Sequence, residues 1–392
     1  MALCSGDYKR TILMGGKKMI KVSILMPACN VKRYIEECMD SVVNQTLVEI
    51  EIICINDGST DGTGDILDKY SYKDKRIKIV HKVNSGYGHS MNIALSMAQG
   101  EYVGIVETDD FVSKDMFEVL YNTAVKYDAD VVKSNYYRYK SIPYPESAFF
   151  EVLKPVGRYD EVFDPAEHRD IFKVAPCIWS SIYRRSMLLE NNVVFNETPG
   201  ASYQDTSFAF KVWASAHRVY LLHDAFLHYR VDNDNSSVKA PGKVFCICDE
   251  YKEIERYLET YPEKKQRYEK LKNVLKYESY RWNLHRLSFG FKYAFMLQMK
   301  KEFEQAHKDD CLDQQLFRKN DWEKLIQLLK TPNEYYTTEC CAVLQPYKSV
   351  EELRSAFENL NIQFTHMKNS KSFRVGRLLT LIPRKIRDIM GK

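Results

Sequence analysis

Between residues 21 and 132 the apolar positions switch back and forth between two periods. Val22 to Met26, Ile50 to Ile55, Ile77 to Val80 and Tyr102 to Val106 are short, nearly continuous apolar runs, as expected of strands covered on both faces. Between and after them, Ile35, Cys38, Met39 and Val42, then Ile66, Leu67 and Tyr70, then Met91, Ala94, Leu95 and Ala98, then Phe117, Leu120, Tyr121 and Ala124 recur at helical spacing. Val131-Val132 opens a fifth strand. Strands alternating with helices through short connections predict an α/β fold, an open and mostly parallel sheet with helices on both faces.

The alternation stops after Lys140. Pro143, Pro145, Pro155 and Pro165 predict loops and an excursion, and apolar pieces resume at Cys177 to Tyr183, Phe208 to Trp213 and Val219 to Tyr229. Beyond Pro241 the pattern becomes that of long charged helices, as in Val244 to Leu258, Tyr268 to Leu287 and Trp322 to Leu329. The expected organisation is a leader over 1–20, an α/β domain over 21–240, a helical C-terminal region over 241–367 and a tail over 368–392.

Composition adds little until charge is located. With 45% hydrophobic and 28% charged residues, the 392-residue chain has the material for a substantial core. The net charge of +4 is unevenly placed. From Lys368 to Lys392 eight basic residues face one acid, Asp388, so the tail carries +7 and the remaining body −3. A weakly acidic body argues against nucleic acid as a partner, which needs a broad cationic face. The ten cysteines include no C-x-x-C pair, and free thiols of a cytoplasmic protein are the expectation. No apolar run approaches the ~20 residues of a membrane-spanning helix.

In an open parallel sheet, ligands meet side chains just past the carboxyl ends of the strands. Four polar or glycine-rich clusters fall there: Pro27-Ala28-Cys29-Asn30, Asn56 to Gly62, Asn84-Ser85-Gly86-Tyr87-Gly88, and Glu107-Thr108-Asp109-Asp110. Glu107, Asp109 and Asp110 place three carboxylates within four residues. Like charges this close suit a divalent cation, Mg²⁺ or Mn²⁺, which takes oxygen ligands and leaves positions open for phosphate; an acidic turn capping the next helix is the plainer alternative. Gly86-x-Gly88 lacks the third glycine of a dinucleotide fingerprint.

Taken in order from Val22 to Asp110, these stretches resemble the family 2 glycosyltransferases, inverting nucleotide-sugar enzymes of the GT-A fold. The resemblance is clear from Lys21 to Ser134 and weaker to Ser237. It implies that Pro27, Ala28, Asn30 and Asp57 hold the base and ribose of a donor, a UDP-sugar by family inference, with Asn84 and Gly86 shaping the same pocket. Glu107-Thr108-Asp109 stands where the family has Asp-x-Asp, so Glu107 reaches the donor and Asp109 with Asp110 hold the diphosphate through the cation. Gln204-Asp205 is the counterpart of the family's acidic pair that heads a later helix, making Asp205 the general base, although Ser202 to Asp205 also fits a capping box. Arg230 matches a Tyr-Arg segment near the diphosphate, with Asp232 where a histidine is common. Ser181 stands where many members carry a lysine. Trp179 is either a platform for a sugar ring or a core residue.

The implied activity is transfer of a sugar, with inversion, to a saccharide or lipid-linked saccharide in bacterial-type cell-surface polysaccharide synthesis. Apolar and basic residues interleave from Ser372 to Arg387, as in a helix on an anionic membrane surface or one packed on the acidic body. The first arrangement would make a cytoplasmic protein peripheral to the inner face of the cell membrane. Two rivals carry their own signatures. A nucleotidyltransferase would place a basic, glycine-rich loop where Pro27 to Asn30 stand; a non-catalytic saccharide-binding protein would turn over no nucleotide sugar.

Overall fold

The computed structural model describes residues 19–233 and 243–341, so the leader up to residue 18 and the whole basic tail lie outside the described residues. The chain forms two compact units with their boundary between Ser279 and Tyr280.

In the first unit, β1 (Val22–Ala28) pairs in parallel with β2 (Ile50–Asp57) and β4 (Tyr102–Ile105), and β2 pairs in parallel with β3 (Ile77–Lys82). Every residue of β1, β2 and β4 is buried. Successive side chains of a strand point to opposite faces, so both faces are covered, which is why these runs show no alternation. The connecting helices are α1 (Ile35–Val43), α2 (Thr63–Lys73) and α3 (Tyr87–Met97), followed by α4 (Met116–Tyr127). α1 buries Ile35, Cys38, Met39 and Val42, the positions its spacing singled out, and α4 buries Phe117, Leu120, Tyr121 and Ala124 among others.

The remaining strands are β5 (Phe111–Val112), β6 (Val131–Lys140), β7 (Glu146–Phe150), β8 (Val162–Phe163), β9 (Ser181–Arg184) and β10 (Val219–Arg230). The sheet runs β3-β2-β1-β4-β9-β6-β10-β5, with β7 attached to β6 and β8 to β10. Its long ladders are parallel, including β6 with β10, while the short β9 is antiparallel to both β4 and β6. β6 extends well past Val131-Val132 because it buries Lys133, Ser134 and Asn135. Each finds a polar partner: Asn135 Nδ2 donates to His223 O at 2.9 Å, and Leu153 N donates to Asn135 Oδ1 at 3.0 Å. Buried polar groups with partners carry no apolar signature, so the strand is hidden in the sequence. The apolar stretch from Cys177 divides into a 3-10 turn over Ile178–Ser180 and then β9.

Helices α5 (Arg185–Glu190) and α6 (Gln204–Trp213) precede β10, and α7 (Cys246–Thr260) and α8 (Pro262–Arg286) follow it. α7 is tied to α6 by buried polar pairs: Lys211 Nζ sits 2.8 Å from Glu253 Oε1, and the Ser215 and Tyr257 hydroxyls are 2.7 Å apart. These links explain why α7 and most of α8 belong with the sheet. The second unit begins in the last turns of α8 and contains α9 (Phe289–Lys308), α10 (Lys319–Lys330) and α11 (Pro332–Tyr336). Phe295, Met299, Phe303, Leu325 and Leu328 form its buried centre. Among the described residues no helix is long and apolar enough to cross a membrane.

Candidate active site

Asp57 ends β2. Its Oδ1 accepts from Ser85 N at 2.8 Å and pairs with Lys82, and its Oδ2 accepts from Gly86 N at 3.0 Å. Asn84 Nδ2 donates to Asp57 O at 3.0 Å. Both glycines of Gly86-x-Gly88 have steric reasons. Gly86 has φ +95°, and a Cβ on Gly88 would lie 2.0 Å from Asn196 O, at the head of α3. Past β1, Asn30 adopts φ 54°, a conformation that asparagine tolerates. Its Oδ1 accepts from Thr60 N at 2.8 Å and its N donates to Ser59 Oγ at 3.0 Å, joining the loops after β1 and β2.

The acidic stretch follows β4, where Thr108 Oγ1 donates to Pro27 O at 2.7 Å and fixes it against β1. Asp109 Oδ2 accepts from Asn233 Nδ2 at 2.8 Å. Glu107 Oε1 accepts from the Tyr87 hydroxyl at 2.7 Å. Burial, with the nearby charges of Asp109 and Asp205 adding to it, pushes the Glu107 carboxyl up to about 8. Burial, reinforced by Asp109, also holds Asp110 well above the usual carboxylate range. Asp110 Oδ1 accepts from Arg230 N at 2.8 Å, whereas its buried Oδ2 has no hydrogen-bond partner.

Asp205 lies in the first turn of α6. The capping box does not form: Ser202 Oγ donates to Pro199 O at 3.4 Å, and Tyr203, in the left-handed conformation, precedes the helix without a side-chain cap. Gln204 instead holds the preceding loop, its Nε2 donating to Thr198 Oγ1 at 2.8 Å and Gly200 O at 3.1 Å. Asp205 Oδ1 is buried with no hydrogen-bond partner, and burial pushes its carboxyl up to about 6.

One cavity of about 430 Å³ gathers these groups. Pro27, Ala28, Asn30, Asp57, Asn84 and Gly86 line it, and so do Glu107, Asp109, Asp110 and Asp205. Asp57 and Asp109 therefore face the same space. Arg230 does not line it, which corrects its expected place on the donor. Its guanidinium is buried between the rings of Tyr34 and Tyr139, 4.7 and 4.8 Å from their centroids, donates to Asp109 O at 2.9 Å and pairs with Glu37. It braces the acidic turn from behind. Asp232 also turns away, its Oδ2 accepting from Ser141 N at 2.7 Å.

The cavity also contains Tyr87, Asn233, Ile178 and Tyr229, to which the motifs assigned no role, and Trp179, left open between platform and core. Among the described residues no three acidic, histidine or cysteine side chains form a metal-holding group by themselves. The donor set still suits a hard cation. Glu107, Asp109 and Asp110 are crowded oxygen donors, the charge of Asp109 adding to burial in raising the carboxyls of Glu107 and Asp110, and a divalent cation completed by phosphate oxygens would relieve that repulsion.

A family model described as glycosyl transferase family 2 matches residues 23–177. The matched segment covers the strand ends at Pro27, Asp57, Asn84 and Asp109, while Asp205 lies beyond it. The chain is 34% identical over 227 residues to the uncharacterized glycosyltransferase EpsJ of Bacillus subtilis, spanning 57% of this chain and 64% of that one. It is 30% identical over 219 residues to the poly(ribitol-phosphate) beta-glucosyltransferase of Bacillus spizizenii, over 55% of this chain and 33% of the relative. The match thus spans less than two thirds of either relative. Among solved structures, S. aureus TarS 1–349 in complex with UDP-GlcNAc is similar with a TM-score of 0.51 and 18% identity, over 80% of this chain and 92% of that one. At that identity the likeness is one of fold, the GT-A-type arrangement of sheet and helices.

Proposed function

We propose that this chain is an inverting glycosyltransferase that takes a sugar from a nucleoside diphosphate sugar, a UDP-sugar by preference, and delivers it to a saccharide hydroxyl in the building of a cell-surface polysaccharide. The observation that carries this reading is the meeting of Asp57, Asp109 and Asp205, from three separate stretches, on one cavity. Pro27, Ala28 and Asp57 bind the base and ribose, Asp57 keeping acceptor capacity on Oδ2. Asn84 and Gly86 hold Asp57 in place. Asp109, with Asp110 and Glu107 beside it, would hold Mg²⁺ or Mn²⁺, which supplies charge neutralisation on the leaving diphosphate.

Asp205 acts from the other side. The acceptor oxygen attacks the anomeric carbon, a new carbon–oxygen bond forms as the bond to the diphosphate breaks, and the hydroxyl proton passes to Asp205. Attack opposite the leaving group inverts that carbon. A carboxyl pushed up to about 6 is mostly ionised at neutral pH yet more basic than an ordinary aspartate, which suits it to this task. Nucleotide release from a panel of nucleotide sugars, with and without Mn²⁺, tests the reading. Cation-dependent release from at least one donor is expected, and absence of both nucleotide uptake and release across the panel overturns it.

A further inference from the structure

The cavity has two chemically different halves, separated by position along the sheet. Pro27, Ala28, Asp57 and Asn84 lie at the ends of β1 to β3, whereas Ile178, Trp179 and Tyr229 belong to the turn before β9 and to β10. The second half is aromatic. Trp179 stacks on Tyr229 with centroids 5.3 Å apart and planes 6° from parallel, and Tyr136 meets Trp179 edge to face at 4.7 Å. Asp205, with its unpartnered buried oxygen, lines the same cavity.

The turn bearing Ile178 and Trp179 is held by β6 and β9. Lys133 Nζ donates to Cys177 O at 2.5 Å, Ser180 Oγ at 2.8 Å and Ser181 Oγ at 3.4 Å. Ser134 Oγ donates to Ser180 O at 3.3 Å, and the Tyr183 hydroxyl donates to Ile178 O at 2.6 Å. Lys133 and Ser181 are direct cross-strand partners. Lys133 is 2% exposed, these three acceptors are neutral oxygens, and among the described residues it forms no ion pair. Burying an ammonium without a carboxylate is costly. A group kept at that cost, fastened to a turn whose next two side chains enter the cavity, acts by setting where those side chains stand.

We propose that Trp179 and Tyr229 form the acceptor subsite, that its ligand is an uncharged pyranose, and that Lys133 is the positioning residue that holds the aromatic wall in place. This rests on the transferase reading and names the acceptor class. The apolar C–H face of a pyranose packs against an aromatic wall, while its hydroxyl edge reaches a carboxylate. Asp205, mostly ionised at neutral pH and facing this half of the cavity, repels an anionic acceptor, so a phosphorylated sugar or polyol is disfavoured here.

Saturation-transfer NMR on the full chain, loaded with UDP and Mg²⁺, tests this with the methyl pyranosides of glucose, galactose and N-acetylglucosamine; ribitol and glucose 6-phosphate serve as open-chain and anionic probes. At least one pyranoside is expected to take up saturation on its ring protons. The signal falls about fivefold in Trp179→Ala and in Lys133→Met and survives in Trp179→Phe, as loss of one stacking contact implies. UDP affinity, followed by calorimetry, stays within about twofold throughout, since the nucleotide half is untouched. Undiminished pyranoside binding in Trp179→Ala, no pyranoside binding to the unsubstituted chain, or stronger binding of the anionic or open-chain probe overturns the proposal. An unaltered signal in folded Lys133→Met removes Lys133 from it, and should that variant not fold, Trp179→Ala against Trp179→Phe decides the subsite. Failure of the unsubstituted chain to take up UDP would instead strike the transferase reading.

Discussion

Asp205 carries the sharpest expectation of any single side chain, because its Oδ1 is buried, unpartnered and exposed to the cavity's other carboxylates. Asp205→Asn should lower transfer by about 10²- to 10⁴-fold, the usual contribution of a general base, while leaving UDP affinity unchanged by calorimetry. Only the ionised carboxylate accepts a proton, so the rate of the unsubstituted chain should fall as pH drops through about 6. A pH–rate profile lacking that limb would remove Asp205 from the mechanism. Asp109→Ala should weaken Mn²⁺-dependent UDP uptake by about tenfold or more, roughly 1.4 kcal/mol, with cation-independent uptake little changed. Asp57, Glu107 and Asp109 were legible in the sequence because strand ends are where an open parallel sheet receives a ligand. Arg230 was not: the Tyr-Arg pattern gives a charge and no direction, and the direction is set by Tyr34, Tyr139 and Glu37, all of them far away in the chain.

Among the elements, the parallel half of the sheet was readable and the β6–β9–β10 half only in fragments. The runs of β1, β2 and β4 are apolar throughout, whereas β6 follows Val131-Val132 with Lys133, Ser134 and Asn135, whose burial depends on partners in other elements. Lys133 also gives β6 a pH signature. Burial lowers its ammonium to about 8 in the folded chain, against 10.5 for an ordinary lysine. Between those values the unfolded chain binds more protons than the folded one, so stability due to this group rises with pH. Denaturant titrations at pH 7.5 and 10 should therefore show the unsubstituted chain gaining stability relative to Lys133→Met at the higher pH. On α3, Gly88→Ala should cost about 1–3 kcal/mol, because the added Cβ meets backbone at Asn196 rather than a movable side chain. Urea unfolding measures it, and an unchanged midpoint would contradict the close approach.

At the scale of the whole molecule, every residue lining the cavity falls between Pro27 and Lys243, inside the first unit. A chain ending at Arg286 should accordingly keep UDP affinity within about twofold, as expected of changes remote from a site. Calorimetry on that truncation checks it. The tail is a separate matter. If residues 372–392 lie on an anionic membrane, where interleaved cations each contribute up to about 1 kcal/mol, removing them should abolish sedimentation with phosphatidylglycerol vesicles. Retained sedimentation would leave the tail without a membrane role. The sequence by itself determined the alternation of strands and helices through β4 and the four polar clusters beyond the strand ends, because period and turn chemistry are local properties of the chain, but it missed the two-residue β5, whose place is set by its pairing with β10. The tertiary structure alone decided that β9 enters antiparallel between β4 and β6, that Asp205 comes to the same cavity as Asp57 and Asp109, and that Arg230 turns inward. Those outcomes depend on which distant groups meet, and on which buried charges find partners when they do.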